Sequence, residues 1–427
     1  MANPHSTSPV VIILRPVEIK LADSPGVDAF GRLRVSSPED LFNASFQYDL
    51  NPLLFLQTTA TGGTITHLPN ESSAELAVTG SVGSLARLQA RFYSRYLPLR
   101  SQLIAMTQVP GAADAGCTRR FGYQDSQDGI LLEQNGTVDL ALVRRTFTSG
   151  AAVDNRVTQA NWNLDKLDGT GDSGITLDLS KGQIFVVDFQ WLGHGRVRVG
   201  FAFNGRIVYA HEFLSSNTLS VPYMRTGCLP VTWEIERTIA GGAATMKVTC
   251  CDVMSEGGFH YDRGIPFSRS NGSTLVTATT AETLVLALRM DPNCPAGTAI
   301  LNESLAFLVD AALYANTADA YYWRVVYGGT LTDVGFADHD GTHSAMQFST
   351  TCTYTAATGI QILDGYVAGN ISRVPSVKPI STKLPLARNG FGTVGATTPV
   401  GNVAILATHL GAGSGAVGGT FSWNELR

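Results

Sequence analysis

Between Ile184 and Phe213 the chain reads IFVVDFQWLGHGRVRVGFAFNGRIVYAHEF. Three apolar runs of period-two character are split by Gly193-His194-Gly195 and by Asn204-Gly205. An Asn-Gly pair between such runs is a strong hairpin signal, because a two-residue turn needs positive φ at both central positions. The segment predicts a three-stranded antiparallel meander. Counting outward from Asn204-Gly205 with no bulge sets Phe203 opposite Arg206, Phe201 opposite Val208, Gly200 opposite Tyr209 and Arg198 opposite His211. A four-residue loop at 192–195 sets Trp191 opposite Arg196 and Phe189 opposite Arg198. One face then carries Phe185, Val187, Phe189, Trp191, Ile207, Tyr209, His211 and Phe213. The other carries Ile184, Val186, Val197, Val199, Phe201, Phe203, Val208 and Ala210. A sheet with one wet face alternates cleanly between apolar and polar, and this one does not. Both faces are expected to be covered, one by a second sheet, the other by more of this chain or by a neighbouring subunit.

The same patterning extends to either side. Ile130 to Val138 forms a second hairpin about Asn135-Gly136, and Ala141 to Thr146 extends its return strand. Val231 to Glu236 and Thr245 to Met254 read as another strand pair, closed by Gly257-Gly258. Short strands at 8–12-residue spacing predict a sandwich or barrel. Residues 161–183 form a Gly/Asp-rich loop ahead of the meander. In RLQARFYSRYLPLR (87–100), Arg87, Arg91 and Arg95 share a side in either a helix or a strand, and the aromatic residues favour strand. Prolines 4, 9, 16, 25 and 38 exclude a long helix before residue 50. This arm, residues 1–56, either docks on a neighbour or folds back on its own domain. A β-sandwich over 57–258 and a second β-rich region over 259–427 follow it. Within that last region, Thr283 to Met290 and Ala299 to Ala315 are the least strand-like pieces, and Leu305, Leu308, Val309 and Ala312 fit one short helix face.

Composition narrows the function classes. Charged residues are 15% of 427, against about 25% in average globular proteins. Together with 44 Gly and 18 Pro, this favours an all-β chain that hides surface in an assembly. A net charge of −5 leaves no footprint for nucleic acid, and no run approaches the roughly 20 apolar residues of a membrane helix. The N-terminus lacks a basic head followed by an apolar core, so no signal peptide is expected. The six cysteines (117, 228, 250, 251, 294 and 352) include no Cys-x-x-Cys and are expected as reduced thiols of a cytoplasm-made protein.

Several motifs touch on chemistry. Gly171-Asp172-Ser173-Gly174 matches a serine-protease nucleophile loop, but upstream there are only His5 and His67 to serve as base, so it reads as a turn. Gly411 to Gly415 places its Ser one position late for a nucleophile elbow. Asp338, His339, Asp340 and His343 are the densest candidate metal ligands, though their spacing matches no strong pattern. Asp165, Asp168 and Asp172 lack the full calcium-loop pattern. Asp188 and Glu212 are the only meander acids; in the bulge-free register they lie two strands apart on the Phe201 face, too far for a glycosidase pair. Arg198, Tyr209 and His211 read as a buried polar cluster inside the sandwich, with sugar binding as the alternative. No catalytic residue and no cofactor is expected.

AFGRLRVSSPEDLF (29–42), YDLNPLLF (48–55), SQLIAMTQVPG (101–111), RRFGYQDSQDGILLEQNGT (119–137), the whole block from Asn161 to Phe213, and FSWNEL (421–426) resemble a family of tailed-bacteriophage virion structural proteins. The resemblance covers most of the first 255 residues. It implies a non-enzymatic particle component with a lectin-like jelly-roll core. The expectation is therefore an all-β, jelly-roll/lectin-like antiparallel sandwich with an N-terminal arm, assembled in the host cytoplasm into a virion. Its partners would be copies of itself and other phage virion proteins, with no nucleic acid and no membrane insertion. Candidate assembly-interface residues are Phe30, Leu33, Val35, Leu41, Phe42, Phe201 and Phe203. The alternative is a receptor-binding module recognising host-surface glycan.

Overall fold

The computed structural model describes residues 26–35, 37–136, 139–258, 264–341, 343–368, 374–375, 385–395 and 398–427. Most of the proline-marked arm, residues 1–25, lies outside them. Among the described residues the fold is all-β: sheets antiparallel apart from one two-residue parallel pairing of 330–331 with 393–394, with two three-residue 3-10 turns. The first sheet runs, edge to edge, Arg206–Leu214 (β13), Arg196–Phe203 (β12), Gln183–Phe189 (β11), Ser101–Val109 (β6), Ala244–Glu256 (β15), Ser73–Val78 (β4) and Thr64–Leu68 (β3). Glu39–Ser45 (β1) adds to the far half of β15. The second runs Val153–Thr158 (β10), Asp139–Thr146 (β9), Gly129–Asn135 (β8), Cys117–Gln124 (β7), Val231–Arg237 (β14), Leu85–Ala90 (β5) and Phe55–Ala60 (β2). From β4 to β7, and again from β14 to β15, the chain crosses from one sheet to the other, making a jelly-roll-type sandwich.

Alternation decides which side chains meet between the sheets. β5 and β6 bury every second residue. Across the gap Phe121 meets Phe185 edge-on at 5.2 Å and Trp233 meets Phe46 at 6.1 Å, while Phe55, on the same sheet as Trp233, lies 6.0 Å from its ring. The expected strand pairing of 231–236 with 245–254 is wrong, because β14 and β15 belong to opposite sheets. The meander forms as expected, but its register differs. Ala210 is an extra residue, so Gly200 still faces Tyr209 while Val199 faces His211 and Arg198 faces Glu212. On the other side Phe189 pairs with Val197 and Asp188 with Arg198, one residue out from the plain four-residue loop. Consequently Phe185, Val187, Phe189, Val197, Val199, Phe201 and Phe213 all enter the core. Val186, Asp188, Arg198, Gly200 and Tyr209 share the outer face.

Residues 265–426 build further sheets of five, six and three strands. Leu305–Ala315 is a strand, not a helix face; it lies beside the C-terminal strand Ser414–Leu426, with a bulge between Leu308 and Asp310. Pairing along that strand overrides the local 3.6-residue pattern. Leu305, Ala387 and Leu426 join the sandwich core, so the two regions share apolar packing.

The bulge carries a steric requirement. A Cβ on Gly200 would lie 2.1 Å from the Val208 carbonyl oxygen and 2.6 Å from the Tyr209 Cα. Gly200→Ala is expected to destabilise the chain by about 1–3 kcal/mol. The check is a lowered urea midpoint at unchanged slope.

Candidate functional site

Asp188 is the centre of the outer face of the first sheet, and it is completely buried. It sits on β11, between β6 and β12. Its Oδ2 accepts from Arg198 Nη2 at 2.5 Å, Arg34 Nη2 at 2.6 Å and the Tyr209 hydroxyl at 2.7 Å. Oδ1 accepts from the Ser101 hydroxyl at 3.1 Å. The Arg198 guanidinium also lies 4.3 Å from the Tyr209 ring centroid and donates to the Val27 carbonyl. Burial, and then the neighbouring Asp188 charge, push the Tyr209 phenol well above its ordinary range. Burial likewise lifts the Glu256 carboxyl to about 7, although Arg34 Nε sits 2.7 Å away.

What covers this cluster is residues 26–35. Val27 bridges Leu33, Arg34 N donates to Gly26 O, and Asp28 Oδ1 accepts from the backbone of Phe30 and Arg32. Gly31 supplies the positive φ of +77° that closes the loop. Ala29 N donates to Ser101 Oγ, and Gln190 Nε2 donates to Ala29 O. The cover of the Tyr209 face thus comes from this chain's own arm. Arg198 and Tyr209 are buried as expected, but under the arm and not between the sheets. His211 is separate from them, against Phe213 at 4.6 Å.

The candidate interface residues divide. Leu33 and Val35 project from the cover, 55% and 84% exposed. Phe30 is half-buried beneath the Arg32 guanidinium. Phe42 and Phe201 are core residues, a correction forced by the alternation of β1 and β12; Leu41 and Phe203 pack partly against the same core.

The outer face of the second sheet holds a groove of about 590 Å3. The register places Glu133, Arg120, Glu234, Arg87 and Thr58 in one row across five strands. Arg120 reaches Glu133 at 2.6 Å and Glu234 at 2.8 Å; Arg87 reaches Glu234 at 2.5 Å, and Arg156 reaches Glu133 at 2.8 Å. Burial alone would raise Glu234, but Arg87 and Arg120 outweigh it and hold the carboxyl below its ordinary value. The groove lining includes Gln89, Gln124, Thr232, Arg388 and Asn389, and no aromatic residue.

The remaining motifs are structural. Asp165 accepts from the backbone of Leu167 and Ser173, and Asp168 from Thr170, so the 161–183 loop is held by its own aspartates. Ser173 Oγ accepts from Ile175 N, and His67 bonds the Phe46 carbonyl; His5 lies outside the described residues. Asp188 and Glu212 do flank Arg198 two strands apart, on the outer face and not the Phe201 face. Asp338, His339, Asp340 and His343 do not converge: Asp338 bonds Gln347, His339 packs on Phe267 and Trp423, and His343 pairs with Asp340. Among the described residues no group of three His, Cys, Asp or Glu could hold a metal ion.

No family matches the sequence, and no curated protein does. Several solved structures align with about half of the chain. A glycosyl hydrolase family 16 protein from Mycobacterium smegmatis is 12% identical, with a TM-score of 0.35 over 50% of this chain and 100% of its own. A legume lectin-like domain from Entamoeba histolytica is 8% identical, with a TM-score of 0.32 over 51% of this chain and 98% of its own. The Bacillus licheniformis beta-glucanase is 10% identical, with a TM-score of 0.31 over 53% of this chain and 100% of its own.

Two outcomes are expected here. Arg198→Ala leaves the Asp188 charge short of a partner in a buried site and is expected to lower stability by about 3–5 kcal/mol in chemical denaturation. His211 is buried, and desolvation depresses it to about 4. Its Nδ1 accepts from Asn163 N, which fixes the neutral ring. The unfolded chain therefore takes up this proton first. The contribution is complete above about pH 6.5 and is lost as pH falls from there through 4. Melting curves of His211→Gln should show a shallower fall over that window than the parent protein.

Proposed function

We propose that the chain is a non-enzymatic virion structural protein of a tailed bacteriophage, which self-associates and docks on other particle proteins. One observation carries this reading: along residues 33–35, Leu33 points out, Arg34 points in to Asp188, and Val35 points out. Two exposed apolar side chains are thereby held on a backbone that a buried ion pair fixes in place. Ordering such a segment before association removes much of the entropic cost of binding. Leu33 and Val35 would then meet neighbouring subunits. The ion-paired row on the other sheet supports the non-enzymatic half of the reading, because Glu133 and Glu234 are each tied to two arginines.

The test is sedimentation velocity on purified protein at micromolar concentration. The expected result is a discrete oligomer for the parent chain and a shift to monomer for Leu33→Asp/Val35→Asp, with unchanged melting temperature. A parent chain that stays monomeric, alone and with its particle partners, sinks the proposal.

A further inference from the structure

In the second region, strand Ile360–Ala368 is an edge strand of the six-stranded sheet among the described residues and pairs with Ala320–Tyr327. Tyr322 and Tyr366 face each other across that pair, ring centroids 5.3 Å apart and planes inclined at 51°. Tyr366 is 71% exposed, the most open aromatic residue of this region among those described. The next register pair on the same face is Arg324 with Asp364. Tyr322 OH lies 3.3 Å from both Gln361 Oε1 and Asp364 Oδ2. A phenol has one proton, so it can donate to only one of these acceptors at a time. Arg324 is held by Glu282 through two bonds of 2.6 and 2.9 Å and reaches Gln361 at 3.5 Å.

We propose that this patch is a saccharide-binding site. An aromatic face carries negative π density and suits the weakly positive C–H face of a pyranose ring. Here the exposed Tyr366 ring supplies that platform. Around it stand a carboxylate and an amide, which accept from neighbouring sugar hydroxyls, and Tyr322, which donates or accepts. Because Glu282 neutralises Arg324, Asp364 leaves the patch with one net negative charge. That favours neutral or amino sugars over uronic or sialic acids.

A protein partner fits the patch less well. Cores of protein–protein interfaces are depleted in charged residues, whereas these two rings are bordered by Asp364, Arg324 and Glu282. The apolar surface on offer is that of the tyrosine rings, about the footprint of one or two sugar units. The ion-paired groove on the sandwich lacks any such ring. The proposal stands apart from the virion reading: a chain of any biological origin with this patch would bind sugar.

The experiment is a printed array of bacterial surface polysaccharides probed with the full-length chain. The parent protein is expected to bind one or more neutral or amino-sugar glycans. Tyr366→Ala is expected to weaken that binding at least tenfold, Tyr366→Trp to retain it, and Asp364→Asn to weaken it several-fold. Far-ultraviolet circular dichroism should be unchanged in all three. Three results overturn the proposal: no glycan bound by the parent, binding indifferent to Tyr366→Ala, or loss of self-association in Tyr366→Ala without any glycan binding. The last would make the patch a protein interface.

Discussion

A carboxylate with no access to water sets the terms for the first half of this protein. Removing a charge of that size from water costs several kcal/mol even after the protein relaxes, so Asp188 on a sheet face demands cations at contact distance. Arg198, directly across the strand pair, supplies one. A single guanidinium would itself be buried and only partly bonded. The second, Arg34, arrives from 154 residues away and brings the N-terminal segment with it. The loop at 26–35 is therefore not an ornament on the sandwich; it completes the neutralisation of a group that the meander cannot leave alone. Tyr209 and Ser101 donate to the same carboxylate.

The second sheet handles charge in another way. Its outer face is open along a groove, and its acids and arginines alternate across neighbouring strands, so Glu133 and Glu234 each meet two arginines. Ion pairs that reach solvent contribute little individually, but a row of them fixes side-chain geometry and ties Glu133 and Glu234 to arginines along this groove. Catalysis by paired acids needs the reverse: two carboxyl groups whose environments drive their proton affinities apart. Here Arg87 and Arg120 hold Glu234 ionised.

Much of this was legible in the sequence, and the failures have physical causes. Asn204 and Gly205 adopt φ of +49° and +83°, as the turn chemistry required. The three meander strands fell where alternation placed them. The register did not, because a bulge adds one residue without any compositional mark: Ala210 is small, apolar and unremarkable in a strand. That one residue sets Val199, not Arg198, opposite His211 and so removes His211 from the cluster; a separate one-residue shift between β11 and β12 sets Arg198 beside Asp188. The 305–312 stretch misled for a different reason, since its apolar spacing suits a helix and only pairing with the remote 414–426 strand makes it extended. The tyrosine patch joins residues 44 positions apart through strand pairing, and nothing local marks either Tyr322 or Tyr366.

The same correction changes what the greasy meander implies. Its two apolar faces required polypeptide cover, and a neighbouring subunit was one way to supply it. In the folded chain the second sheet covers one face and residues 26–35 cover the Asp188 part of the other, so that cluster is buried within one molecule. The case for assembly therefore shifts outward by one layer. It rests on Leu33 and Val35, side chains that gain nothing from exposure, on a segment whose backbone the Asp188 cluster holds rigid. A loop that served only as a cover would be as effective with polar residues at both positions. Apolar residues there make physical sense if the cover is itself covered.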